Sequence, residues 1–406
     1  MGSEMCIRDR AHTDPQYRSE LNLEAYFAAA RELWNCEMRL APGQLRIAIL
    51  GYVVPKMAPW DPTAVDYGLP GSEECVVYGA DELVRRGHRV TVYMNPPAQS
   101  VWRAPFSNPQ WLPVSLWSAA ENKQHYDLVL LWRSTDFAKG YQRGHTVLYW
   151  PHDMPPDPPP NKQFQLPPCD GVLLLSEHHR RQHQRAFHAF NAIPTIIAGN
   201  GYHPSHFSEV VTKRPYSVGY FSNYARGLII LMVLWPRIRA RVPEATLEIC
   251  YGRETWGTMS ERQMAFVVKK IEEYKDSGVT EHGMVGHAAL AQIMKRTSIW
   301  AYPCHQIGAC ETFCITAVKC QAAGMIPVTT RIGALNETVH PEAPSLPAIN
   351  TDADIEAYYE LLCGVLERSN DADQEQYREQ YREYATRFTW THCVDQWLAL
   401  YQQVQQ

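Results

Sequence analysis

Leu45-Arg-Ile-Ala-Ile-Leu50, Gly68-Leu-Pro-Gly-Ser-Glu-Glu74 and Arg89-Val-Thr-Val-Tyr93 decide how this chain folds. The first and last are short apolar runs, of the kind buried on both faces inside a sheet. Between them, from Ser72, apolar residues fall at helical spacing (Val76, Val77, Ala80, Leu83, Val84) until Arg86-Gly87-His88, where glycine ends the helix. Strand, glycine-bearing loop, helix and strand in this order make a βαβ unit, which requires a parallel sheet.

The same rhythm continues outward. Asp127-Leu-Val-Leu-Leu-Trp132, Thr146-Val-Leu-Tyr-Trp150 and Gly171-Val-Leu-Leu-Leu175 are further apolar runs, and Ser176 caps the helix after the last of them. Residues 154–168 form a proline-rich loop expected to lie over a cleft. A second series opens at Tyr216-Ser-Val-Gly-Tyr-Phe221 and continues through Ala245–Cys250, Val279–His282, Ile299–Tyr302 and Ile326–Thr330, with helices near 259–277 and 287–296. After residue 350 the pattern is helical to the end. Residues 20–38 read as one amphipathic helix ahead of the first strand. At 406 residues the chain is long for a single core. The expected fold class is α/β, with two doubly wound Rossmann-like domains facing across a cleft. Residues 1–44 are set apart as a leader and helix, 45–210 as the first domain, 211–385 as the second, and 386–406 as a helix returning to the first.

Composition narrows the functional classes. Hydrophobic residues make up 45% and charged residues 20%, as in an ordinary globular protein, and the net charge of −5 gives no field favouring nucleic acid or anionic membrane. No stretch approaches the roughly 20 apolar residues that span a bilayer. The first ten residues lack the apolar core of a signal peptide. With 11 cysteines, an odd number, this predicts reduced thiols and a cytoplasmic location. Cys304, Cys310, Cys314 and Cys320 lie beside His305, yet their spacing does not form the paired knuckles of a zinc site, so no metal is expected.

Residues 309–339 are the candidate site. Glu311 precedes a helix expected to start at Thr312 and to stop at Gly324, ahead of the strand Ile326–Thr330. A helix start facing a strand-end crevice offers backbone N–H groups and a positive dipole end to a phosphate. Gly71 permits a similar approach at the earlier helix start. His152-Asp153 follows a strand in a loop, where a histidine serves better as a ligand contact than as core filler. Arg226, just before Gly227, places a guanidinium at another helix start, where it can neutralise a diphosphate.

These residues carry a resemblance. Glu311-Thr-Phe-Cys-Ile-Thr-Ala317, Ala322-Ala-Gly-Met-Ile-Pro-Val-Thr-Thr330 and Gly333-Ala-Leu-Asn-Glu-Thr-Val339 resemble the donor-site signature of glycosyltransferase family 4 and its retaining GT-B relatives. Gly68–Glu74 resembles the family's Gly-Gly-Ser-Glu element, with Pro70 in place of the first of the adjacent glycines. Gly199-Asn-Gly-Tyr-His-Pro-Ser-His-Phe207 resembles its Asn-Gly-Val-Asp element at the domain junction. The resemblance implies the GT-B fold and a nucleotide-diphosphate sugar as co-substrate, with no cofactor or obligatory metal. The implied acceptor carries a hydroxyl and is a glycan, a lipid-linked sugar, a small molecule or, less in keeping with the charge, a modified base. It further implies that His152 and Glu311 contact the transferred sugar, and that Phe313, Cys314 and Ile315 supply backbone contacts to sugar and phosphate. Arg226 would hold the diphosphate, with Arg253 or Lys319 as the second cation. The signature has two glutamates eight positions apart; the second, which would hold the ribose, falls on Lys319. That departure keeps a second reading open, a GT-B protein that binds nucleotide sugar or glycan without transfer. A nucleotide-sugar epimerase shares the architecture but accounts for less of the Glu311–Ala317 stretch.

Overall fold

The computed structural model describes residues 40–52, 57–97, 100, 107–120, 122–134, 140–166, 169–188, 190–252, 259–305 and 311–406. The helix expected over 20–38 therefore lies outside the described residues. The strands are β1 (Arg46–Leu50), β2 (Arg89–Met94), β3 (Gln110–Pro113), β4 (Tyr126–Trp132), β5 (Gly144–Trp150), β6 (Phe164–Gln165), β7 (Gly171–Leu174), β8 (Phe187–His188), β9 (Thr195–Ile197), β10 (Arg214–Tyr220), β11 (Thr246–Cys250), β12 (Val279–Gly283), β13 (Thr297–Tyr302), β14 (Ile326–Thr330) and β15 (Ser345–Leu346). The helices are α1 (Gly71–Arg85), α2 (Glu177–Ala186), α3 (Leu228–Arg241), α4 (Glu261–Tyr274), α5 (His287–Arg296), α6 (Ile315–Ala322), α7 (Leu335–Thr338), α8 (Asp352–Glu367), α9 (Gln374–Ala385) and α10 (Trp390–Val404).

Two parallel sheets organise the chain. The first runs β3-β2-β1-β4-β5-β7-β9 and the second β12-β11-β10-β13-β14-β15. In each, the order climbs away from the first strand in one direction and then jumps back to continue on its other side. This is the Rossmann order, which opens a crevice beside the first strand at the carboxyl ends of the strands. In the first sheet that crevice lies between β1 and β4, with Leu50 opposite Leu131. In the second it lies between β10 and β13, with Gly219 opposite Trp300.

Burial explains the strand sequences. Ile47, Ala48 and Ile49 are completely buried, because helices cover one face of the first sheet and an aromatic layer of Tyr93, Trp117 and Tyr126 fills the other. The last helix, α10, returns to the first sheet. Its Trp397 is fully buried 4.6 Å from Trp150, and Trp390 joins the same core.

The proline-rich loop differs from expectation. Its described part does not line the cleft; it runs to β6, which pairs with β8 beyond α2. The pairing of Phe164 with Phe187, rings 6.2 Å apart, ties the loop to the strand that directly follows that helix.

Candidate functional site

The two crevices face each other across a cleft of about 600 Å³. Two helix starts meet there, α1 at Gly71 and α6 at Ile315. A side chain at Gly71 would lie 2.9 Å from the Ile315 methyl, so glycine is what lets the two starts come together. Neither start has a side-chain cap, since Pro70 and Cys314 occupy the capping positions. The positive dipole end of α6, with no acid in its first turn, is therefore uncompensated at the cleft, whereas Glu73 and Glu74 stand in the first turn of α1.

On the second sheet's side, Arg226 closes a short turn after β10. Gly227 follows in the left-handed region (φ 114°), and any side chain there would meet the Pro303 carbonyl at 2.2 Å. The turn sets the Arg226 guanidinium 3.2 Å from Oε1 of Glu311. Tyr302, at the end of β13, donates its hydroxyl to the same Oε1 at 2.5 Å. The negative charge of Glu311 holds Arg226 protonated well beyond its ordinary range, and burial keeps the Tyr302 phenol neutral. A fixed cation and a fixed carboxylate thus share one wall.

The first sheet supplies the opposite wall. His152, after β5, is buried against Trp150 at 4.7 Å, and its Nε2 has no partner among the described residues. Burial and the nearby Arg133 push its pKa far down, so the imidazole is neutral. Asn200 Oδ1, Ser72 Oγ and His305 Nδ1 are likewise buried without partners, and all line the cleft. Buried polar atoms normally find partners, so four orphans around one cleft mark a surface shaped for a hydrogen-bonding ligand. Arg133, directly after β4, takes a left-handed backbone (φ 56°) that turns its guanidinium onto Asp153 at 2.7 and 2.9 Å and onto Glu73 at 3.0 Å. Burial raises the Glu73 pKa from 4.5 to about 7, outweighing Arg133. A raised pKa means that the folded chain holds this proton more tightly than the unfolded one. The resulting contribution to stability is complete below about pH 4.5 and is lost as pH rises through about 7. Glu73→Gln should therefore flatten the fall in melting temperature between about pH 5 and pH 8.

Most of the residues singled out in the sequence converge here: Gly71, His152, Arg226, Glu311, Phe313, Cys314 and Ile315 all line the cleft. The helix start differs from expectation. Thr312 does not cap α6; its hydroxyl donates to the His152 carbonyl at 3.2 Å and its own carbonyl accepts from Ser176 at 2.7 Å. Those contacts dock the loop on the first half, and α6 begins only after Cys314 has turned through φ 70°. Phe313 is buried in the first half's core, 5.6 Å from Phe388. Lys319 does not line the cleft. Its ammonium is 2.5 Å from Glu74 Oε2 on α1, in a buried pair that His287 joins at 3.1 Å. A lysine on α6 therefore reaches across to the other half, because α1 presents a carboxylate where a nucleotide contact was expected. Arg253 lies outside the described residues.

Sequence reasoning missed Arg133 and the partnership of Glu73 with it. Arg133 stands at the carboxyl end of the strand beside β1, the position that the Rossmann order marks for a ligand, and that strand-end placement was the available signal. No three His, Cys, Asp or Glu among the described residues are placed to hold a metal ion. No described helix is long and apolar enough to cross a membrane.

No protein-family model matches the chain, and no curated protein matches it in sequence. Solved structures do. A sucrose-phosphate synthase from Thermosynechococcus elongatus superposes with a TM-score of 0.64 at 18% identity, over 88% of this chain and 99% of that one. A glycosyltransferase from Rickettsia africae gives 0.65 at 12%, over 89% and 99%. HepE from Anabaena, solved with UDP-glucose, gives 0.59 at 16%, over 89% and 98%. The fold is GT-B. In GT-B terms, the cleft is the space between the two Rossmann-like sheets, and the Arg226–Glu311 wall belongs to the second of them.

Proposed function

We propose that the chain is a retaining glycosyltransferase of the family 4 type, moving a sugar from a nucleotide-diphosphate sugar to a hydroxyl acceptor. One observation carries this reading. The Arg226–Glu311 pair on one wall faces the unpartnered His152 Nε2 and Asn200 Oδ1 on the other, beside two uncapped helix starts. A diphosphate between Arg226 and the start of α6 meets positive charge, and the attached sugar meets a carboxylate and neutral hydrogen-bonding groups. The sugar–diphosphate bond breaks with its electron pair moving onto the diphosphate oxygen, which Arg226 and the α6 dipole stabilise, while the acceptor oxygen bonds to the anomeric carbon and its proton passes to the departing diphosphate. Glu311 accepts hydrogen bonds from the sugar hydroxyls. His152, kept neutral, hydrogen-bonds the sugar without competing with it for charge. Positioning and charge stabilisation suffice for this chemistry, and transfer is expected to persist in EDTA.

UDP is the first nucleotide to test, since HepE was solved with UDP-glucose. Titration with UDP, GDP and ADP, then turnover with the matching sugar nucleotides, tests the reading. Anomeric configuration of the product by NMR tests retention and separates transfer from epimerisation. Absence of binding by every nucleotide sinks the proposal. His152→Ala should cut transfer about 10²-fold while nucleotide affinity moves by less than about threefold, because His152 touches sugar and not nucleotide.

A second reading is favoured by Lys319. Its commitment to Glu74 leaves the ribose without the acid that the family places on this helix. Nucleotide binding without turnover of any sugar nucleotide would select this binding-only reading.

A further inference from the structure

The wall of the cleft formed by the first sheet has a charge pattern that the donor chemistry does not use. Arg133 sends Nε and one terminal nitrogen to Asp153 and the other terminal nitrogen to Glu73, so each guanidinium nitrogen meets a carboxylate oxygen. The guanidinium also lies over Trp132, 5.2 Å from the ring centroid, and near Tyr52 at 5.9 Å. Glu73 is almost wholly buried at 1% side-chain exposure, whereas Asp153 is open to solvent at 60%. Two carboxylates thus surround one cation, and His152 beside them is neutral. Among the described residues that line the cleft, Arg226 is paired with Glu311 on the opposite wall.

We propose that Glu73 accepts a hydrogen bond from an acceptor hydroxyl, and that the Glu73–Arg133–Asp153 cluster confines the acceptor to uncharged, polyhydroxylated molecules. This rests on the reading of the cleft as a nucleotide-sugar site and names its second substrate class. The argument is electrostatic and steric. An anionic acceptor such as a sugar phosphate would meet two carboxylates, with a guanidinium already forked onto one of them. Bidentate pairing is the geometry that a phosphate would need, and Asp153 occupies it. A neutral sugar needs what the wall offers: carboxylate oxygens that accept from hydroxyls, and the unpartnered Ser72 Oγ next to Glu73 in the same wall. Glu73 stands in the first turn of α1, two residues from Gly71, where α1 meets the donor-side helix α6. Glu73 lines the cleft, whereas the adjacent Glu74 is committed to Lys319 of α6.

Ligand-observed NMR with glucose, a neutral disaccharide and their phosphate esters, in the presence of UDP, tests the inference by binding and does not depend on turnover. Wild-type affinity for UDP is measured first and reports separately on the nucleotide-sugar reading. At about pH 8.5, above the Glu73 pKa of about 7, neutral sugars should give saturation-transfer signals with the wild type, and Glu73→Gln should weaken their binding about tenfold or more, the cost of losing a hydrogen bond to a charged acceptor. Phosphate esters should bind at least about tenfold more weakly than their parent sugars. Asp153→Asn, at an exposed position that leaves the core untouched, should free the guanidinium fork and narrow or reverse that preference. A wild type that prefers phosphate esters or binds no neutral sugar overturns the proposal. So does a folded Glu73→Gln variant that keeps neutral-sugar binding, or an Asp153→Asn variant with an unchanged preference.

Discussion

Arg226→Ala should weaken UDP binding about 10²-fold and lower sugar transfer about 10²–10³-fold, the scale seen when one charge-stabilising donor is removed from an active site. Arg226 is the cation that the second sheet aims at the cleft, and it already stands 3.2 Å from Glu311. Its removal does two things at once. The diphosphate loses its neutralising partner as negative charge develops on the leaving oxygen. Glu311, mostly buried, is left with the Tyr302 hydroxyl and no cation, so it repels the incoming diphosphate. Arg226→Lys should recover only part of the loss, because an ammonium is a point charge and cannot span two phosphate oxygens as a fork. Calorimetric titration with UDP and initial rates with the best donor provide the readings, with a melting curve to show that the variant is folded. UDP affinity within about threefold of wild type would remove Arg226 from the donor site.

Much of this arrangement was legible in the sequence, and the limits have physical reasons. The strand runs could be read because a parallel sheet covered on both faces demands unbroken apolar segments: Ile47–Leu50 and Ile326–Thr330 are buried throughout. Gly71, Arg226 and Glu311 were found because glycine, guanidinium and carboxylate at helix starts have a chemical meaning that survives without coordinates. The start of α6 was misplaced by three residues, since a threonine capping a helix and a threonine bonded to another domain look the same in a sequence. Thr312 does the second. Arg133 was missed because its meaning comes from Asp153 and Glu73, 20 residues downstream and 60 upstream. Contacts between the halves were the least legible of all. Glu337 accepts from the backbone N–H groups of Glu177 and His178 at 2.7 and 2.8 Å, capping a helix of the other half from a distance of 160 residues.

Lys319 belongs to that same class of contact, and its substitution should have the largest effect on stability. Lys319→Ala would leave Glu74, at 1% side-chain exposure, as a buried carboxylate facing a histidine and an empty space. Breaking a buried pair from one side costs about 3–5 kcal/mol, because the remaining charge keeps its desolvation penalty and loses its partner. Lys319→Glu, which would restore the acid of the family signature, should be worse than alanine: it sets two carboxylates against each other where the pair now stands 2.5 Å apart. The swap Glu74→Lys with Lys319→Glu should regain much of the loss, whereas Glu74→Leu with Lys319→Met should approach wild-type stability, since an apolar pair carries no charge to desolvate. Melting temperatures of the four variants read these outcomes directly. A Lys319→Glu protein as stable as wild type would mean that α1 and α6 are not joined through this pair. If that variant also gained transfer activity, the acid would be acting on the nucleotide, and the lysine would be a lesion in the site instead of a strut between its two halves.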